Sequence, residues 1–191
     1  MFIRLIRPAI SLLAVMTLLV GIAYPLVITG AAKIAFPRQA AGSLIYQDGK
    51  LIGSSLIGQS FSDPKYFWGR PSATTPQPYN GLGSTGSNLG PLNPALIDAV
   101  KANAKALHDA DPENRQPLPV DLVTASASGL DPDVSVAAVE YQAARVARTR
   151  HLELAQVEAL IKAHVRERLF GIIGEPRVNV LELNLALDRQ H

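Results

Sequence analysis

The sequence contains no cysteine, and that absence removes a disulfide framework, a thiolate metal site and a cysteine nucleophile together. It also lacks a bulk charge of one sign. The formal net charge is +2, from 18 Lys and Arg against 16 Asp and Glu. Arg4 and Arg7 are the charged side chains of the first 32 residues, so the remainder carries 16 of each sign and is neutral. Nucleic-acid binders need a clustered basic face to neutralise phosphates, and none is present here. No G-x-x-x-x-G-K-[ST] occurs, so the phosphate cradle with its lysine is missing, and the G-x-S-x-G nucleophile elbow is missing too. His108, His151, His164 and His191 are scattered rather than set at metal-ligand spacing. One pattern, Gly81-Leu-Gly-Ser-Thr-Gly86, satisfies G-x-G-x-x-G. Its context is wrong for a dinucleotide site, because Thr75-Pro-Gln-Pro precedes it where a buried strand should stand. A surface turn is the expectation.

What the chain does have is a long apolar run near its start. No charged side chain lies between Pro8 and Ala32, and residues 9–28 read AISLLAVMTLLVGIAYPLVI. Such a stretch covers the ~30 Å hydrocarbon core as a helix of about 20 residues. Its Leu, Ile and Val side chains give on the order of −5 kcal/mol on the insertion scale before Gly, Pro and Thr penalties. Pro8 suits a first helical turn, while Pro25 removes a backbone bond inside the helix, so a kink is expected between Gly21 and Pro25. A cleaved secretory signal is the alternative, but the run exceeds the ~7–15 residues of a signal h-region. Tyr24, Pro25 and Leu26 also stand where small residues would gather. The two arginines of the leader favour a cytoplasmic N-terminus. The resulting organisation is a cytoplasmic leader over residues 1–8, a transmembrane helix over 9–32, and an extracytoplasmic domain over 33–191.

Within that domain, two short strands around Asp48-Gly49 read as a hairpin. Residues 59–94 are interrupted by Pro64, Pro71, Pro76, Pro78, Pro91 and Pro94. They also hold Phe61, Tyr66, Phe67, Trp68 and Tyr79, too many aromatics for a disordered linker, and predict a long ordered loop. Asn93-Pro94 opens a helix ending by Asp109. Ser135 caps a second, with Val139, Gln142, Ala143 and Val146 on one face. A third is expected over residues 153–169, stopped by Gly171. Leu181, Leu183, Leu185 and Leu187 alternate as a half-buried closing strand does. The fold class is α+β, with one transmembrane helix and a small mixed domain built on one small sheet.

The segment Ser126-Ala-Ser-Gly-Leu-Asp-Pro132 has two readings: a capping segment ahead of a helix, or a serine- and glycine-rich turn presenting N–H groups to an anion. Taken with RPAI and YPLVITG at the membrane, AAGSLI, GSSLIGQSF, YFWGRPSA, GSNLGPLNP, QAARVARTR and GEPRVNVLELNLAL, the chain resembles, nearly end to end, the C subunit of the Kdp-type potassium-transporting ATPase. It departs from the family pattern at Asp133 and Val136, where a histidine and a proline are usual, and at Trp68 and Thr85.

The resemblance implies a non-catalytic accessory subunit of a bacterial inner-membrane complex that imports K⁺ at the expense of ATP. Its partners would be a channel-like potassium-binding subunit, a P-type ATPase subunit and the lipid bilayer. It also implies a catalytic-chaperone role, raising the nucleotide affinity of the ATPase subunit, with Ser126, Ser128, Gly129, Leu130 and Asp131 as the nucleotide region. No cofactor is expected on this chain itself, ATP entering through the ATPase subunit. A domain outside the cytoplasm cannot meet cytoplasmic ATP, so an effect on nucleotide affinity would travel through the membrane helix or the partners. Tyr66, Phe67, Trp68, Arg70, Gln142 and Arg145 are expected at the partner interface, since aromatics and Arg concentrate at interface hot spots. The competing readings are a membrane-anchored periplasmic enzyme and an independent nucleotide-binding module.

Overall fold

A computed structural model describes residues 2–190, and the chain divides into two units, residues 1–52 and 53–191. The first begins with α1 (Phe2–Met16), passes through a π-helical stretch at Thr17–Ala23, and continues as α2 (Tyr24–Ala35). From Arg4–Ala35 this helix of 32 residues is long and apolar enough to cross a membrane by length and composition. None of the side chains of its most apolar stretch is buried within the chain.

One expectation about its prolines needs correction. Pro8 lies inside α1 rather than in a first turn, because the helix extends back to Phe2. Ahead of Pro25 the helix is π-helical over Thr17–Ala23, overlapping the stretch where a kink is expected, and the Tyr24 N–H reaches back five residues to the Leu19 carbonyl. Pro25 has no N–H to offer the Gly21 carbonyl, and the longer hydrogen-bond register precedes that gap. After the short α3 (Pro37–Ala40), β1 (Leu44–Gln47) and β2 (Lys50–Ser54) form the expected hairpin. Asp48 and Gly49 both take positive φ, +50° and +76°, as a tight turn of that hand requires.

The second unit is organised by helices around a three-stranded antiparallel sheet. α4 (Pro94–Ala110) starts where Asn93 Oδ1 accepts from the Ala95 N–H at 3.0 Å. A 3₁₀ turn at Val120–Leu122 follows. β3 (Asp133–Ser135) then leads into α5 (Val136–Arg150), whose first turn is capped by Ser135 Oγ accepting from the Ala138 N–H. α5 is interior, with Val139 and Val146 fully buried. It packs on α6 (Leu154–His164), which packs in turn on α7 (Val180–Asp188). The sheet order is β3, β5 (Arg177–Asn179), β4 (Val165–Arg166). Val178 is paired with both Val134 and Val165 and is fully buried at the centre.

Three sequence expectations give way here. The third helix stops at His164, since Val165 turns extended and pairs with Val178, and Leu169 instead bridges Ile173. The closing leucines are helical rather than a strand. Asn179 Oδ1 accepts from the Glu182 N–H at 3.0 Å and starts α7. Val180, Leu183, Asn184 and Leu187 then fall on one buried face at helical spacing. Among the described residues there are two small sheets, not one.

The proline-rich loop is ordered because α5 and α7 grip its backbone. Gln142 treats Trp68 as a strand neighbour: its Oε1 accepts from the Trp68 N–H at 2.8 Å and its Nε2 donates to the Trp68 carbonyl at 3.2 Å. Asn184 does the same for Phe67, at 2.9 Å in both directions. Arg145 donates to the carbonyls of Pro64 and Tyr66 and to Gln142 Oε1, and lies 4.7 Å from the Trp68 ring centre. Arg150 donates to the Lys65 carbonyl and pairs with Asp188 at 2.7 Å. Phe67 is thereby held with no exposed surface.

Candidate functional site

The serine- and glycine-rich segment over residues 126–132 does not cap a helix directly. It folds on itself and is clasped by the loop over residues 69–86. The Ser126 N–H donates to the Pro71 carbonyl at 3.3 Å, and Ser126 Oγ accepts from the Gly129 N–H at 2.9 Å. Ser128 Oγ accepts from the Leu130 N–H at 3.1 Å, and its carbonyl accepts from the Thr85 N–H and Ser84 Oγ, both at 3.0 Å. Gly129 is buried at φ +67°, where a Cβ would also meet the Thr85 carbonyl oxygen at 2.7 Å. Its carbonyl accepts from Ser72 Oγ at 2.7 Å.

Asp131 and Arg70 close the clasp from the other side. Asp131 Oδ2 pairs with Arg70 Nη1 at 3.2 Å, while Oδ1 accepts from the Asp133 N–H. Arg70 Nη2 donates to the Ala125 carbonyl at 3.4 Å. Tyr79 completes the arrangement, donating its hydroxyl to the Arg70 carbonyl at 2.5 Å while its own N–H donates to Ser72 Oγ at 2.9 Å. Burial pushes the Tyr79 phenol up to about 12, with the Asp131 charge adding to the rise and Arg70 opposing it. Beside this clasp lies an open cavity of about 280 Å³, lined in part by Phe61, Trp68, Arg70, Tyr79, Asn103 and Leu107.

The chemical consequence is that three of the turn's N–H donors are engaged. The N–H groups of Ser126, Gly129 and Leu130 all serve oxygens of this chain, which withdraws three donors from any nest of the kind that cradles phosphate. No group of three or more His, Asp or Glu side chains that could hold a metal ion occurs among the described residues. Residues 81–86 are turn and loop without a following helix, as expected from their context. Sequence reasoning did not place Ser72, Tyr79, Ser84 or Thr85 at the site, though these are the residues that do the clasping. Single hydroxyls in a proline-rich loop carry no periodic signal.

The residues expected at a partner interface separate into two groups. Phe67, Gln142 and Arg145 are 0%, 1% and 3% exposed, so the last two spend their polar groups holding the loop backbone inside the domain. In the folded chain all three are interior positions. Burial lowers the Arg145 guanidinium to about 10, with Asp111 and Tyr141 opposing the fall. Tyr66, Trp68 and Arg70 keep part of their surface.

The model of the K⁺-transporting ATPase c chain family, KdpC, matches residues 6–189. The chain belongs to the KdpC family. Among curated relatives, the potassium-transporting ATPase KdpC subunit of Variovorax paradoxus (strain S110) is 66% identical over 185 residues, covering 97% of this chain and 96% of the relative. That of Dechloromonas aromatica (strain RCB) is 62% identical over 184 residues, covering 96% of each. The KdpC subunit of Sorangium cellulosum (strain So ce56) is 60% identical over 183 residues, again covering 96% of each. As a KdpC chain it is a subunit of a potassium-transporting ATPase, with an accessory role in potassium import.

Proposed function

We propose that this chain is the non-catalytic accessory subunit of an ATP-driven, high-affinity potassium import complex of the bacterial inner membrane. It is anchored by its Arg4–Ala35 helix with the N-terminus in the cytoplasm and the domain in the periplasm. Its partners are a channel-like potassium-binding subunit and a P-type ATPase subunit. It stabilises their assembly and raises the ATPase subunit's affinity for nucleotide without holding the nucleotide itself. The observation that carries this reading is the hydrogen-bonding of the 126–131 turn, where the N–H groups of Ser126, Gly129 and Leu130 are already donated to Pro71, Ser126 and Ser128. An effect on ATP affinity then acts by coupling between sites, which shifts an equilibrium without shared contact.

The test has two parts. The purified full-length chain alone is exposed to a photoreactive ATP analogue, and the assembled complex is assayed with and without it. No labelling of the isolated chain, together with a lower KM for ATP and unchanged kcat when it is present, is expected. Specific labelling at Ser128 or Gly129 that disappears on Asp131→Ala would favour the independent nucleotide-binding reading instead. Protease access to residues 33–191 in right-side-out against inverted vesicles checks the orientation.

A further inference from the structure

Between β4 and β5 the chain makes a tight hairpin whose tip is apolar and turned outward. Leu169, Phe170, Ile172 and Ile173 are 58%, 84%, 78% and 58% exposed. Phe170 sits at φ +54° and Gly171 at +75°. A bulky residue in the left-handed region is rare, and four large apolar side chains together in water are unfavourable as well, so the chain maintains two disfavoured features at one point.

We propose that this tip, residues 169–173, enters the interfacial layer of a lipid bilayer and gives the chain a second membrane contact besides its helix. The proposal rests on the reading of Arg4–Ala35 as a membrane anchor, which keeps a lipid surface at high effective concentration around the domain.

Two further observations select lipid over an apolar pocket of another protein. The first is backbone satisfaction. The Leu169 N–H donates to the Ile173 carbonyl at 2.9 Å, and the Ile173 N–H returns to the Leu169 carbonyl at 3.0 Å. The Gly171 and Ile172 N–H groups donate to the carbonyls of Arg168 and Leu169. With four of its five N–H donors engaged, those of Leu169, Gly171, Ile172 and Ile173, the segment can leave water while stranding few of them, which is the condition hydrocarbon imposes and a polar-rimmed protein pocket relaxes. The second is charge placement. No charged residue lies between Leu169 and Gly174. The neck carries ion pairs: Arg168 with Glu175, Arg166 with Glu182 at 2.6 Å, and Arg177 with Asp133 at 2.8 Å. Apolar tip and charged neck match the depth profile of a bilayer surface, in which an apolar face sinks about 5–10 Å below the headgroups.

Because the chain has no cysteine, a single label tests this directly. Full-length Phe170→Cys, carrying an environment-sensitive fluorophore, is reconstituted into vesicles of phosphatidylcholine and phosphatidylglycerol, with Ile172→Cys as a second tip site and Lys105→Cys on exposed α4 as the control. Blue-shifted emission at both tip sites, quenched by lipids brominated near the glycerol end of their acyl chains, is expected, with neither effect at position 105. Tip labels as wet as the control, in a chain that resists alkaline extraction, would overturn the inference while leaving the anchor intact. Release of the chain by alkaline wash would instead remove the anchor reading. Shielding that appears only when the other subunits are added, or only as protein density rises, with no lipid quenching, would assign the tip to a protein pocket or a second copy and overturn lipid contact.

Discussion

Removing the Gln142 side chain should detach the aromatic loop from α5. Gln142 is 1% exposed, and its amide satisfies the Trp68 N–H, shares the Trp68 carbonyl, and accepts from Arg145 Nη2 at 2.7 Å. Gln142→Ala leaves a buried backbone donor and acceptor short of partners and takes one acceptor from a buried guanidinium. At about 1–3 kcal/mol for each stranded group, partly shared among the survivors, the expected loss is roughly 3–5 kcal/mol. With a urea slope near 2 kcal/mol per molar, the midpoint falls by about 2 M. Trp68 is the single tryptophan and is itself the residue held, so its emission in the full-length, detergent-solubilised chain reports the event locally. Gln142→Leu separates hydrogen bonding from volume, because it refills the space and strands the same groups. It should remain within about 1 kcal/mol of the alanine variant, since stranded polar groups rather than a cavity dominate the cost. A loss under about 1 kcal/mol for Gln142→Ala, or near-complete recovery with Leu, would refute the account of how the loop is held.

Two further outcomes follow from the clasp. Gly129→Ala puts a Cβ at φ +67° against the Thr85 carbonyl oxygen at 2.7 Å, so left-handed strain and crowding together should destabilise the chain by about 2–4 kcal/mol, read as a lowered thermal midpoint. The Tyr79 phenol, raised from an ordinary value near 10 to about 12, holds its proton in the folded state after the unfolded chain has lost it. Its contribution is therefore complete below about pH 10 and is lost as pH climbs towards 12. Urea midpoints measured across that window should fall less steeply in Tyr79→Phe than in the parent chain, and parallel curves would refute the assignment.

Several parts of this fold were legible because one residue type carries one physical demand. The charge-free run after Arg7 marks the membrane-length helix, since length and apolarity are the whole requirement there. Asp48-Gly49 fixes its turn through positive φ, and Asn93 and Ser135 mark helix starts through their side-chain oxygens. Where local signals were ambiguous the reading went astray. The leucines from 181 to 187 fit alternation and helical spacing alike, and Asn179 serves both as the last residue of β5 and as the cap of α7. The helix expected to run through Leu169 had apolar residues at suitable intervals. Val165 leaves it because a partner, Val178, awaits across the sheet.

The candidate site divides the same way. The amino-acid order alone determined the family pattern, the membrane-length segment, the neutral remainder and the presence of an unusual serine-glycine turn before Pro132. Tertiary structure alone decided that three of the turn's N–H groups are spoken for by Pro71, Ser126 and Ser128, and that Gln142 and Arg145 face inward to hold a loop more than 70 residues away in sequence. The physical reason is range. Caps, turns and hydrophobic runs are settled between near neighbours, whereas whether a donor is free or an arginine is on the surface depends on which distant backbone the packed core brings against it.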